Sequence, residues 1–334
     1  QVCWKNDIIL GNWEGGVAGF DYSKYFGPIE PLADATRSED GRCWENGTGR
    51  TKTSHDYVLY LGCNVLRTVA LAETITAILT RMGVKYVALG GPSACCGIIH
   101  HSNGDIEVSK TLTKQTLTKF ESFKPKAVLT YCPSCHAHMD YALSATDLQL
   151  DVPYLHVTEF IVQNLDRLKF RQKVDKRVVF HGHGDDHQAR RDSRFAQALL
   201  SAIPGLEVID ATGAPVWGHD CGNLQIGLVG PEKHRNLVNE LFNYAQNEKA
   251  DAVAVLYHSC YRNLCSAETA HGVRVVHYTS LIAESLGLPQ HDEAYKRLQK
   301  EGDPDAAFEE LAPVAERRGL SQKRLKRSLD LHFG

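Results

Sequence analysis

The sequence predicts an α/β fold built as two tandem repeats, each a small parallel sheet flanked by helices, with ligand-bearing loops at the carboxyl ends of the strands. Three observations lead there. Short apolar runs at residues 57–61, 86–89 and 127–130 recur about 30 residues apart across helix-length segments, the rhythm of βαβ units. Each run is followed closely by cysteine: Cys63, then Cys95 and Cys96, then Cys132 and Cys135. The phrase Pro153-Tyr154-Leu155-His156-Val157-Thr158 returns as Val275-Val276-His277-Tyr278-Thr279, each time before an apolar helix, which marks an internal duplication.

Taken in order, residues 1–55 are Gly-rich, hold Trp4, Trp13 and Trp44, and show no clear period. They read as an arm that packs on the main body or on a partner protein, with the polar stretch 37–54 as linker. The first repeat, 56–170, opens on strand 57–61. Residues 66–82 follow, with Leu66, Val69, Ala70, Ala77, Ile78 and Leu79 spaced as in a sheet-covering helix. Strand 86–89 feeds the Gly90-Gly91-Pro92 turn, 105–123 forms the next helix, and strand 127–130 delivers the last two cysteines. Pro133 suits the first turn of the helix after them, where no amide is needed. Strand 152–157 and helix 158–168 complete the unit. The second repeat occupies 171–290, its first strand starting near Arg177. A helical tail, 291–334, has amphipathic segments at 294–301, 304–318 and 321–331. Its basic cluster Lys323-Arg324-Leu325-Lys326-Arg327 reads as a solvated face or, alternatively, a dock for an acidic partner.

The spacing Cys-x31-Cys-Cys-x35-Cys-x2-Cys brings five thiols to one sheet edge, where open α/β sheets bind ligands. Five exceed the four ligands of a structural zinc site, and a vicinal pair wraps one tetrahedral ion poorly. A polynuclear iron-sulfur cluster uses them better. Three plainer readings stay open: a zinc half-site or a redox dithiol at Cys132 and Cys135, or thiols packed as small hydrophobes.

Aligning the repeats sets Gly184, Asp220, Cys221, Tyr257 and Cys260 against the five cysteines. Two thiols in five remain, too few for the same cluster. The candidates for a substrate or second site are His181, His183, His219, Cys221, His258 and Cys260. Such a set can bind Zn²⁺ or another borderline metal, receive a sulfur substrate while a histidine moves protons, or merely cap helices.

A length of 334 residues, 43% hydrophobic and 23% charged, fits a globular protein of two ordinary domains. A net charge of −3 offers no general attraction to nucleic acid, and the apolar runs are strand-sized, too short to span a bilayer. With no signal peptide read at the start and cysteines spaced unlike a secreted disulfide framework, the expected setting is the cytoplasm.

The motif formed by Cys63, Cys95, Cys96, Cys132 and Cys135 resembles the CCG, or cysteine-rich, domain of the heterodisulfide reductase family, in its B-type subunits, and the likeness extends over residues 56–290. In that family two tandem CCG motifs each hold a noncubane [4Fe-4S] cluster. The resemblance implies that these five residues hold one such cluster, while only Cys221 and Cys260 match the second set. One intact motif resembles the heterodisulfide-reductase-like complexes of sulfur-oxidising bacteria. The implied function is that of an oxidoreductase subunit acting on disulfide, persulfide or thiol sulfur. Its implied partners are a ferredoxin-like iron-sulfur subunit, a flavoprotein, and a sulfur-containing small molecule or carrier-protein thiol. The rival expectation is a non-catalytic electron-relay or scaffold subunit of the same kind of complex.

Overall fold

A computed structural model describes residues 26–39, 43–44, 55–184, 187–209, 211, 214, 221, 226–227 and 229–334. The arm contains α1 (Glu30–Thr36), and the first repeat contains β1 (Tyr57–Gly62), α2 (Val69–Arg81), β2 (Tyr86–Gly90), α3 (Ile98–Ser102), α4 (Ile106–Ser122), β3 (Ala127–Thr130), α5 (Pro133–Ala145), β4 (Tyr154–His156) and α6 (Val157–Gln163). The second contains β5 (Arg177–His181), α7 (His187–Ser201), β6 (Glu207–Ile209), α8 (Pro231–Asn247), β7 (Ala252–Val255), α9 (His258–Leu264), α10 (Ala267–His271), β8 (Arg274–His277) and α11 (Tyr278–Ser285). The tail forms α12 (Ala294–Glu301), α13 (Pro304–Arg317) and α14 (Gln322–Phe333).

Among the described residues the strands form two four-stranded sheets, with orders β2-β1-β3-β4 and β6-β5-β7-β8. Every pairing is parallel. The identical order is the duplication seen in the sequence, now in space. All four residues of β3 and of β7 are buried, as expected of parallel strands covered on both faces, which is why both read as continuous apolar runs.

The described residues fall into two compact units. The first comprises residues within 1–67, 84–157 and 311–331. Val58, Tyr60, Val87, Leu89, Leu117, Phe120, Val128 and Met139 form its core together with Cys96, Cys132 and Cys135, so these thiols belong to the packed interior. Tyr60 meets Phe120 edge-on at 4.9 Å between ring centroids.

Part of the arm is more ordered than its composition suggested. Helix α1 has Pro31 in its first turn and buries Pro31, Leu32, Ala33 and Ala35; with seven residues it is too short to display a helical period. Phe26, Ile29 and Trp44 are also buried, and Arg67 sits over the Phe26 ring. The end of α1 is held by Arg318 of the tail, which donates to the carbonyls of Asp34, Ala35 and Arg37 at 2.7, 3.4 and 3.0 Å. Arg318 is nearly buried, with 9% of its side chain exposed. Arg318→Ala is expected to lower unfolding stability by roughly 1.5–3 kcal/mol, read as a lower midpoint in urea at unchanged slope.

The second unit comprises 68–83, residues within 158–310, and 332–334. Helix α2 packs against α11 within it. Buried Glu268 of α10 accepts from Lys296 and Lys300, each at 2.6 Å, and from the Val275 amide at 2.6 Å. Lys296 also donates to the Val275 carbonyl at 2.7 Å and lies over the Tyr261 ring at 4.6 Å. These contacts fasten α12 to β8.

Candidate metal centre

Because β1 lies between β2 and β3, the loops leaving their carboxyl ends converge. Cys63 follows β1, Cys95 and Cys96 follow β2, and Cys132 and Cys135 stand at the N-cap and third residue of α5. All five are buried, and each is a thiol rather than half of a disulfide. Their side chains are hydrogen-bonded in series, Cys63 to Cys95, Cys95 to Cys96, Cys96 to Cys135, and Cys135 to Cys132. Cys63 is pushed well above the ordinary thiol range by its bond with Cys95 and by burial. Cys135 is pushed the same way by Cys132, Cys96 and burial. Thiols crowded like this lose their protons together only with cationic charge among them.

The surrounding chain fixes where those sulfurs point. Thr116 donates to the Cys95 carbonyl and Thr113 to that of Cys96, both at 2.7 Å. Tyr60 donates to the Ala94 carbonyl at 2.9 Å and Tyr154 to that of Cys135 at 3.3 Å. Burial raises both phenols well above their usual range, so they stay protonated donors at neutral pH. The Gly97 amide points at Cys95 Sγ from 3.3 Å, the kind of hydrogen bond that tunes a metal-bound sulfur. His138, pushed down to about 4 by burial and then by His101, is a neutral imidazole there. Sequence reasoning did not single out Ser109, whose hydroxyl is 3.4 Å from His138 Nε2, or Thr113 and Thr116. The signal was three hydroxyl residues on the same face of α4 as buried Leu117 and Phe120.

Gly62 shapes the cradle most directly. Its φ is +74°, in the left-handed region where glycine carries no penalty. A Cβ there would lie 2.8 Å from Cys135 Sγ and 3.2 Å from Cys132 Cβ. The β1–β2 register shifts just before it, between Tyr60 and Gly62. The donor set, its burial and the missing side chain all suit a bulky inorganic core held by thiolates.

In the second repeat, His181, His183, Cys221 and Cys260 come together, all buried, with their ligand atoms within 4.8 Å of one another. His183 Nε2 is 3.0 Å from Cys260 Sγ, and the two imidazoles meet edge-on at 4.9 Å. Burial pushes the Cys260 thiol up, but the Cys221 thiol and the His183 and His181 rings outweigh it, leaving Cys260 well below the ordinary range. His258, buried as the first residue of α9, does not join this group. His219 lies outside the described residues. Cys265 also stays apart, its thiol pushed up to about 11 by burial. The strand-end His277 caps α11, accepting from the Thr279 amide.

Residues 57–140 match the family described as a cysteine-rich domain, CCG, and that stretch includes all five first-repeat cysteines. A subunit of the dihydromethanophenazine:CoB–CoM heterodisulfide reductase of Methanosarcina barkeri is 24% identical over 266 residues, covering 75% of this chain and 64% of that protein. Its counterpart in Methanosarcina mazei is 26% identical over 249 residues, covering 70% of this chain and 59% of that protein. The chain therefore spans less than two thirds of the length of the curated relatives it matches. An aspartate racemase from Picrophilus torridus aligns over 72% of this chain and 98% of its own at 14% identity, with a TM-score of 0.30; a likeness at that score carries no argument.

Proposed function

We propose that this chain, a heterodisulfide-reductase-like CCG protein, is the iron-sulfur subunit of a cytoplasmic complex that exchanges electrons with disulfide, persulfide or thiol sulfur. The observation that carries this reading is the hydrogen-bonded series of five buried thiols at the ends of β1, β2 and β3. Cys63, Cys95, Cys96, Cys132 and Cys135 would hold one noncubane [4Fe-4S] cluster. When bound, it supplies single electrons and iron that takes sulfur ligands.

The protein's part is to exclude water, fix the thiolates and tune them. Thr113 and Thr116 hold the vicinal cysteines, Gly97 donates to Cys95, and Gly62 keeps space beside Cys135. Opening a disulfide to two thiols consumes two electrons and two protons. In this reading the electrons pass through partners, a ferredoxin-like iron-sulfur subunit and a flavoprotein, and the sulfur arrives on a small molecule or a carrier protein. That the relatives are themselves named as one subunit of a larger reductase supports assembly into a complex.

Anaerobic isolation from the native host followed by iron, acid-labile sulfide and zinc analysis tests the assignment. The expected result is iron and sulfide in equal amounts at one cluster per chain, both lost in Cys96→Ser because an alkoxide is a hard and basic ligand. Protein without sulfide, or a Cys96→Ser variant with unchanged iron and spectrum, rules the five-ligand cluster out.

A further inference from the structure

The sheets allow the two repeats to be superposed residue by residue. In the first, Tyr60 pairs with Thr130, two residues before Cys132, the N-cap of α5. In the second, His181 pairs with Val255, two residues before Tyr257, the N-cap of α9. His181 therefore stands where Tyr60 stands, His183 where Gly62 stands, Gly184 where Cys63 stands, and Cys260 where Cys135 stands. Cys221 takes the place of Cys96, with 35 residues between it and the N-cap in both halves.

The exchange at the glycine is the informative one. In the first repeat the space beside Cys135 is kept open because Gly62 has no side chain. In the second, the residue in that place is His183, whose Nε2 lies 3.0 Å from the equivalent sulfur, Cys260. The position that makes room for an inorganic core in one half thus delivers a nitrogen ligand in the other. The counterparts of Cys63 and Cys132 have meanwhile become Gly184 and Tyr257, and Tyr257 is occupied in a buried hydrogen bond to Asp192 at 3.1 Å.

His181 supplies an independent sign. It is 3% exposed, and neither ring nitrogen has a hydrogen-bond partner in normal geometry, although the ring is near enough to Cys260 to favour its thiolate. A buried imidazole with neither nitrogen in a well-formed hydrogen bond is costly, and a metal ion beside the thiolates removes that cost.

We propose that the second repeat binds one zinc-class divalent ion through His181, His183, Cys221 and Cys260. Bonds of about 2.3 Å to sulfur and about 2.0–2.1 Å to nitrogen give tetrahedral edges of about 3.3–3.8 Å, in keeping with ligand atoms that lie within 4.8 Å of one another. Two soft thiolates and two imidazoles are a donor set that zinc takes readily. Four protein ligands close the coordination sphere, so the ion is structural and leaves no position for a substrate. It joins the end of β5 to the first turn of α9 and to Cys221. Backbone contacts hold these ligands in place: Ser193 accepts from the His183 amide at 2.7 Å, and Asn263 donates to the Cys221 carbonyl at 3.3 Å.

The test is a metal count on the full chain, independent of whether the first-repeat cluster is catalytic. Zinc is expected at one ion per chain, falling to less than about a tenth of that in His183→Gly and Cys260→Ser, with iron and sulfide unchanged in both. Replacement of zinc by Co²⁺ in the wild-type protein is expected to give the intense visible bands of a tetrahedral, thiolate-bound ion, a readout that needs no variant to fold. Wild-type protein that takes up neither Zn²⁺ nor Co²⁺ overturns the proposal. So do variants that keep their zinc, or variants that lose iron in its place, which would put a second cluster in this half.

Discussion

Gly62→Ala is expected to abolish iron incorporation while leaving the rest of the sequence untouched. Two independent costs fall on the same methyl group. An L-residue at φ +74° gives up about 1 kcal/mol or more relative to glycine. The new Cβ would also stand 2.8 Å from Cys135 Sγ and 3.2 Å from Cys132 Cβ, neither of which can retreat easily. Cys132 is the N-cap of α5 and Cys135 lies in its first turn, so moving either means moving the helix start, an overpacking cost of about 1–3 kcal/mol. The sulfur that shifts is also a proposed ligand, so the damage reaches the cluster directly. Iron and sulfide per chain, with a thermal melt beside them, check this; full iron content in Gly62→Ala would show that the cradle has room to spare.

The largest effect expected away from the cysteines is at Glu268. Glu268→Ala takes its closest carboxylate from the Lys296 ammonium, 8% exposed as a side chain, and leaves it Glu293 at 3.7 Å, so the loss falls toward the lower end of the about 3–5 kcal/mol typical of a broken buried pair. Urea unfolding at pH 7 should show a loss of that size, and Glu268→Gln a smaller one because its carbonyl still accepts from Lys296. A pH dependence accompanies it. Burial acts to raise the Glu268 pKa, but the bonds from Lys296, Lys300 and the Val275 amide outweigh it, and the carboxyl ends below its ordinary value. A folded pKa below the unfolded one means stability that is complete above about 4.5, the unfolded value, and lost as pH falls through the folded one. The wild-type protein should therefore weaken in that acid window, and Glu268→Gln should lack this part of the slope.

Much of this structure could be read from the sequence, for identifiable reasons. Parallel strands buried on both faces give apolar runs that announce themselves, so 127–130 coincides with β3, and 57–61 and 86–89 stop one residue short of β1 and β2. The tail helices were legible because each has one apolar stripe. Helix α1 escaped notice, as did α3 with its five residues, because neither completes enough turns to show a period. The thiols could be grouped from order alone, since each follows a strand and the three strands are neighbours. The second group could not be sorted so simply. His181, His183 and His258 all sit at strand or helix ends, and only the actual backbone positions bring the first two to Cys221 and Cys260 while leaving His258 aside. Spacing alone sets His183 against Gly62, one residue before the Gly184–Cys63 match, but it does not reveal that the histidine side chain reaches the sulfur of Cys260.

Helix α2 follows β1 in the chain, yet residues 68–83 belong to the second compact unit, where α2 packs on α11. The repeats are thus not modules that a cut near residue 170 would release intact. A gene fragment for the first half would encode a helix without the partner it packs on, and a fragment for the second would lack one of its own walls. During synthesis, residues 68–83 must wait for α11, more than 190 positions later in the sequence, before they can be buried. A duplication that exchanges a segment in this way is difficult to undo, and it gives a half with a degenerate cysteine motif a reason to persist whatever it binds.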